Sequence, residues 1–241
     1  MNDAASASRN RPRVVITGTG RAGTTLLVQV LTDLGLDTGF TADAKADPQS
    51  RGGLEKSITD PSAPWIVKSP SLSTQLASLL EQQQVAVEHV IIPIRDLDVA
   101  AASRVRTTGY GTNLRTTGGL LGTPRATRQR AALAAAEYEL FYTIARFDLP
   151  HTLLYFPRFA RDWEYTYRKL SFLAPELPRE RWKAAVEQRY QPTMLHEEPL
   201  SARERAMALA GTLYQRGIAS PTRAARRVIR GQSARSSPKS P

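Results

Sequence analysis

RVVITGTGRAGTTLLVQVLTDLGL, residues 13–36, divides into three parts of different physical character. Arg13 to Thr17 is a short apolar run rich in β-branched residues, which predicts a buried strand. Gly18 to Gly23 is rich in glycine, and Thr24 to Leu36 spaces Leu26, Leu27, Val30, Leu31 and Leu34 along one face of a helix. A strand, a glycine loop and a helix in that order aim unpaired backbone N–H groups and the positive end of the helix dipole at the loop. That arrangement suits an anion. Gly20, Arg21, Ala22, Gly23, Thr24 and Thr25 are therefore candidate binding residues, with Arg21 supplying a cation from inside the loop.

Three readings of this loop stand side by side. It satisfies the dinucleotide fingerprint G-x-G-x-x-G, but the acid expected about 20 residues on, at the end of a second strand, is missing. Asp43 lies near that distance in a polar stretch with no apolar run before it. The loop also fits the frame of a phosphate loop, with Thr24 where an ATPase carries the Lys that reaches the β and γ phosphates. A tight glycine turn without a ligand is the third reading.

Outward from the loop, apolar runs and helical periods alternate. Asp37 to Ala63 is polar and punctuated by Gly, Pro and Asp, which predicts loop with at most a short helix. Trp65 to Lys68 predicts a second strand, followed after Pro70 by a helix to about Gln83. His89 to Ile94 predicts a third strand, and Asp96 to Arg106 a helix capped by Asp96. Thr107 to Thr123 is a Gly/Thr loop too long to be a mere connection. Pro124 to Phe147 predicts a long helix and His151 to Tyr155 a fourth strand. Helices around Arg158 to Leu173, Pro178 to Gln188 and Ser201 to Arg216 close the domain. Strands separated by helices form βαβ units, so the fold class is α/β, a parallel sheet covered by helices on both faces.

The third strand brings a second binding signal. Arg95 ends it and Ser103 follows two helical turns later, a spacing that lets guanidinium and hydroxyl reach one side of a single anion. A strand-end arginine and a surface serine with no shared task is the other reading.

Together the two segments resemble the sulfotransferase family that uses 3′-phosphoadenosine 5′-phosphosulfate (PAPS). Arg21, Ala22, Gly23, Thr24 and Thr25 match that family's first loop, which holds the 5′-phosphosulfate. Arg95 and Ser103 match its strand-end Arg and helix Ser, which hold the 3′-phosphate. Trp65 to Pro70 looks like the family's strand ending in Lys beside the acceptor, here Lys68, and Leu153-Leu154-Tyr155 resembles the strand whose Tyr contacts adenine, with Phe172 and Leu173 ending the next helix. The resemblance runs over roughly Arg13 to Leu173 and implies a three-layer fold of P-loop type, with PAPS as donor co-substrate and no metal. Its departures are Pro70, standing where cytosolic members acting on phenols and steroids have a catalytic His, and the absence of a recognisable Gly-rich nucleotide motif after Leu173. What remains is similar to bacterial and carbohydrate-type members, so the acceptor is expected to be a carbohydrate or small metabolite with a hydroxyl or amine.

In sulfuryl transfer, Arg21, Thr24, Thr25, backbone N–H groups and Lys68 are expected to stabilise the charge on the in-line transition state, while a base takes the acceptor's proton. Glu55 is the favoured base, because Gly52-Gly53-Leu54-Glu55 lies where carbohydrate enzymes of the family put their carboxylate; Asp43, Asp47 and His89 are alternatives, and a plain solvated loop acid is the competing reading. Trp163, Tyr165, Tyr167 and Trp182 read as core rather than ligand platforms.

Composition bounds these readings. The chain has 241 residues, 41% of them hydrophobic, enough for one ordinary core, and no Cys, which removes disulfides, thiolate metal sites and cysteine nucleophiles. No apolar run reaches membrane-spanning length and Met1 to Arg13 has no signal-type apolar core, so a soluble, cytoplasmic protein is expected. The net charge of +11 is focused: Val99 to Ala136 carries six arginines and Ser220 to Pro241 six basic residues, neither stretch holding an acid. Arg104, Arg106 and Arg115 of the first stretch read either as a basic lid over the donor or an anionic acceptor such as a sugar acid, or as ordinary solvated charge. The expected organisation is a disordered N-terminus over 1–11, one domain over 12–218 and a disordered basic tail over 219–241, the tail being the only route to nucleic acid. A P-loop nucleotide kinase or NTPase lacking the usual Lys is the alternative function, and a basic protein that binds nucleic acid through its tail a third.

Overall fold

The computed structural model describes residues 11–46, 52–113, 118–192 and 198–215. Residues 1–10 of the expected N-terminal disordered segment, the expected C-terminal tail, Asp47 and Arg115 lie outside the described residues. Four strands, β1 (Arg13–Ile16), β2 (Ile66–Lys68), β3 (Val87–Ile94) and β4 (His151–Tyr155), form an all-parallel sheet in the order β2-β1-β3-β4. The main helices are α1 (Thr24–Asp33), α2 (Leu72–Glu81), α3 (Leu97–Thr107), α4 (Gln129–Arg146), α5 (Arg158–Arg161), α6 (Trp163–Leu170), α7 (Arg179–Arg189) and α8 (Ala202–Gln215).

The strands are apolar on both faces because helices cover both, as parallel sheets require. Val14, Ile16, Ile66, Ile91 and Leu154 point to one face and pack with Leu27 and Leu31 of α1 and Trp182 and Val186 of α7. Their strand neighbours turn the other way: Val15 and Val67 meet Leu72 of α2, while Val90 and Ile92 meet Leu76 of α2 and Leu140 and Ile144 of α4. The period-two alternation thus builds two cores, and a one-residue slip in β1 would exchange them. Helix α1 stops at Gly35, whose φ of +85° closes the turn, with its N–H donating to the Thr32 carbonyl at 2.9 Å.

Connections run from β1 outward to β2 on one side and from β3 outward to β4 on the other. The C-terminal ends of β1 and β3 therefore flank the point where the sheet reverses direction, the crevice in which open α/β sheets bind ligands. The Gly18–Gly23 loop and Arg95 both sit there.

Two expected helices differ in detail. The helix expected over Arg158 to Leu173 is broken at Asp162, which is extended (φ −111°, ψ 92°) and whose carboxylate accepts from the Tyr165 N–H at 2.8 Å, starting α6 afresh. The long helix expected from Pro124 begins as a 3₁₀ turn at Ala126–Arg128 and becomes α-helical at Gln129. Among the described residues of Asp37 to Ala63 there is no helix. Asp96 caps α3 as expected, accepting from the Val99 N–H at 3.0 Å.

Candidate functional site

A cavity of about 710 Å³ opens at the C-terminal ends of β1, β2 and β3. Of the residues singled out in the sequence, it is lined by Gly20, Arg21, Gly23, Thr24, Thr25, Glu55, Lys68, Arg95 and Ser103, together with Asp43 and Pro70. Ala22 lies fully buried in the core just behind the loop.

The loop is held in a shape few sequences accept. Gly18, Gly20 and Gly23 have φ of +136°, +64° and +75°, and Arg21 itself has φ of +57°. A non-glycine residue held in the left-handed region costs on the order of 1–2 kcal/mol, and such strain concentrates where a site needs it. Gly23 is required for a second reason: a Cβ there would lie 2.6 Å from Phe156 Cδ2 and 2.8 Å from Phe159 Cζ. Gly23 is also the N-cap of α1 and offers no side chain to its N–H groups, and the first turn holds no acid, so the helix end faces the cavity uncapped.

Arg21, Arg95 and Ser103 form one unit. Arg21 Nε donates to Ser103 Oγ at 3.0 Å, and Arg95 Nη1 donates to the Arg21 carbonyl at 2.7 Å. The strand-end arginine and the helix serine thus both reach the first loop. Arg95 is 7% exposed, its guanidinium lies 5.0 Å from the Phe156 ring centroid, and its Nη2 is buried with no hydrogen-bond partner among the described residues. A buried, unpaired donor on a cation is costly unless something external takes it.

Lys68, at the end of β2, is 3% exposed. Its ammonium donates to Thr25 Oγ1 at 3.3 Å, to Glu55 Oε1 at 3.3 Å and to the Gly53 carbonyl, which uses all three of its protons. Burial pushes the Lys68 ammonium below its usual range, and the neighbouring Glu55 carboxylate opposes that shift. Burial, reinforced by the Arg21 charge, likewise pulls Arg95 and Arg104 below the usual arginine range, to about 10. Four cations thus converge on the loop end of the cavity, where the acid that faces them is the half-exposed Glu55.

The two further arginines of α3 hold the fold and not a lid over the cavity, while Arg115, the third residue of that reading, lies outside the described residues. Arg104 is 3% exposed and lies beneath the loop, its Nε donating to the Thr19 carbonyl at 3.0 Å and its Nη1 to the Gly119 carbonyl. A Cβ on Gly20 would fall 2.5 Å from Arg104 Nη2, so the glycine makes room for the guanidinium. Arg106 turns away to α8, pairing with Glu204 at 2.7 Å and donating to the Glu198 and Pro199 carbonyls.

Tyr155 is 56% exposed at the sheet edge and does not line the cavity; its N–H donates to the Tyr165 hydroxyl at 3.0 Å. His89 lies outside the cavity lining, its Nε2 2.8 Å from Thr152 Oγ1 and its ring against Phe172. Trp182 is fully buried and Tyr167 packs edge-on against it, in line with a core role. Phe156, which supports Arg95 and fills the space beside Gly23, carries no sequence signal beyond its place after β4. Arg189 and Tyr190 at the end of α7 also line the cavity, brought there by folding alone.

Fold and site together define an α/β protein with a cationic cavity at the reversal point of an all-parallel sheet. Comparisons with protein-family models, with curated proteins and with solved structures find no match to the chain. Among the described residues, no helix is long and apolar enough to cross a membrane.

Proposed function

We propose that the protein is a PAPS-dependent sulfotransferase of P-loop type, moving a sulfuryl group to a hydroxyl or amine acceptor. The observation that carries this reading is the pairing of two anion-seeking features around one cavity: the uncapped N-terminus of α1 with its glycine loop, and the buried Arg95 guanidinium, whose side chain lines the same cavity and whose Nη2 has no hydrogen-bond partner among the described residues. A donor with phosphate-type groups at two ends of a nucleoside offers an anion to each of these features.

In this reading the loop N–H groups, Arg21, Thr24 and Thr25 bind the phosphosulfate, and Arg95 with Ser103 binds the 3′-phosphate. Glu55 takes the proton of the acceptor as its oxygen or nitrogen bonds to sulfur. The bond from sulfur to the bridging oxygen breaks, and Lys68 and Arg21 stabilise the charge that collects on the departing phosphate. Lys68 must give up one of its three present partners to do so. The cysteine-free composition fits a cytoplasmic setting.

Adenosine 3′,5′-bisphosphate at about 100 times its Kd is expected to stabilise the protein by about 2.7 kcal/mol without Mg²⁺. Arg95→Met should abolish that shift while Arg226→Ala leaves it intact. A nucleotide kinase or NTPase is the second reading, favoured by one contact: Lys68 reaches Thr25 in space and could supply the ammonium that Thr24 denies the loop. Against it, Asp96 at the end of β3 is engaged in capping α3. Stabilisation by Mg²⁺-ATP and not by the bisphosphate would select this second reading.

A further inference from the structure

From Ala206 to Gln215 the helix α8 carries no charge, and its sequence there, AMALAGTLYQ, is apolar around most of its circumference. Helices that are apolar all round are ordinarily buried all round. Here only one side is. Ala208 is 2% exposed and packs with Val105 and Ala126, Thr212 is buried, and a Cβ on Gly211 would collide with the Tyr110 carbonyl. Glu204 fixes the same side by accepting from Arg106 and from the Tyr110 hydroxyl.

The opposite side faces outward. At about 100° per residue, Leu209, Leu213, Ala206, Ala210, Tyr214 and Met207 follow one another across about 160° of the helix surface. Met207 is 41% exposed, Leu209 52% and Tyr214 57%, so among the described residues this face has no cover. Segments 114–117 and 193–197 lie outside the described residues, and their described neighbours Tyr110 and Leu200 sit on the inner side of α8, Leu200 against Val105 and Ala208.

What suits the face is decided by the sequence that follows it. Residues 216–241 hold seven basic side chains, from Arg216 to Lys239, and no acid. Their large apolar side chains are Ile218, Val228 and Ile229 alone, too few to cover the face while the basic groups stay hydrated. A second copy seated on the same face would bring two such basic runs together, and like charges oppose that. A nucleic acid would answer the charge and leave the apolar face in water. An anionic lipid surface answers both. Apolar side chains enter the boundary between headgroups and acyl chains, a tyrosine suits that boundary, and basic residues are held by the lipid charge.

We propose that α8 docks on an anionic lipid surface, lying in its plane with the Met207, Leu209 and Tyr214 face inserted and the adjoining basic run against the headgroups. With 14 residues, α8 is too short to span a bilayer, and its inner side stays on the protein. The proposal is independent of what occupies the cavity.

The test is co-sedimentation of the full chain with phosphatidylcholine vesicles that contain or lack phosphatidylserine. The protein should sediment with the anionic vesicles and stay in solution with the neutral ones. Met207→Gln combined with Leu209→Gln should weaken anionic-vesicle binding at least about tenfold, and the melting temperature should hold because both side chains are exposed. Replacing Arg223, Arg226, Arg227 and Arg230 by Gln should cost about fivefold for each arginine that reaches the headgroups. Equal binding to both kinds of vesicle, or to neither, overturns the proposal. Vesicle binding that survives the double Gln variant and is displaced by duplex DNA overturns it by assigning the basic run to nucleic acid. A dimer in vesicle-free sedimentation velocity that the double Gln variant returns to monomer overturns it by assigning the face to a second copy.

Discussion

Replacing Gly23 by Ala tests whether the loop and the wall behind it form one rigid unit. At φ of +75° an alanine is strained by about 1–2 kcal/mol. Its Cβ would also sit 2.6 and 2.7 Å from the Phe156 ring and 2.8 Å from Phe159, both buried, an overpacking of about 1–3 kcal/mol. The sum is about 3 kcal/mol, or roughly 6–12 °C in melting temperature for a domain of this size. Gly35→Ala is the matched control: φ is +85°, but nothing lies within 4 Å of the added carbon, so only the strain remains, about 1 kcal/mol. Urea unfolding of both variants gives the difference, which is the packing contribution. Because Phe156 supports the Arg95 guanidinium at 5.0 Å, displacing it should also weaken anion binding in the first variant and not in the second. Equal destabilisation by the two substitutions, with equal anion binding, would refute the reasoning.

Three more outcomes follow from the same geometry. Arg104→Lys leaves the Thr19 and Gly119 carbonyls short of donors and should cost about 2–4 kcal/mol in urea unfolding; a loss under about 0.5 kcal/mol means the guanidinium is not what holds the loop. Glu55→Gln should lower sulfuryl transfer by about 10²–10⁴-fold with bisphosphate affinity almost unchanged, and undiminished turnover would make Glu55 a solvated loop acid. The Arg106 side chain and the Ser201 N–H hold the Glu204 carboxyl down from 4.5 to about 2. A depressed carboxyl contributes stability above its unfolded value and loses it as pH falls, so stability should drop between pH 4.5 and 2, and Glu204→Gln should flatten that segment of the urea midpoint profile.

The order of elements was legible because each element carries a local signature. β1, β2 and β4 are short apolar runs between breakers, α1 has a clear helical period and α3 a capping Asp96. Boundaries failed where a polar side chain acts across a turn, as Asp162 does; an Asp amid aromatic and basic residues reads equally as a surface position of one continuous helix. The site was partly legible for the same reason. Arg21 and Arg95 each follow a strand, and parallel strands bring their C-terminal ends to one edge, so strand-end residues meet whatever the intervening sequence. Arg104 and Arg106 were not legible. They lie two residues apart on α3, and a helix turns about 100° per residue, so one guanidinium goes under the loop and the other to α8. Nothing in composition separates them, and only the position of α8, fixed by contacts some hundred residues distant, decides which is which.

The net charge of +11 points to an anionic partner without naming one, and the structure divides that charge by what each group touches. Arg106 and Arg189 answer carboxylates, and Arg104 answers carbonyls. Arg95 answers a carbonyl with one nitrogen and nothing described with another. Cations answered by carboxylates have a sufficient explanation in the folded chain. Arg95 does not: it is desolvated, close enough to Arg21 for their charges to oppose one another, and left with a spare buried donor on a side chain that lines a cavity. A chain selected for stability alone would have no use for that arrangement, because a methionine would fill the same space without the desolvation cost. The arrangement becomes favourable when an anion supplies the missing acceptor and opposes the repulsion, and this is why the functional reading rests on one buried nitrogen more than on the charge of the whole chain.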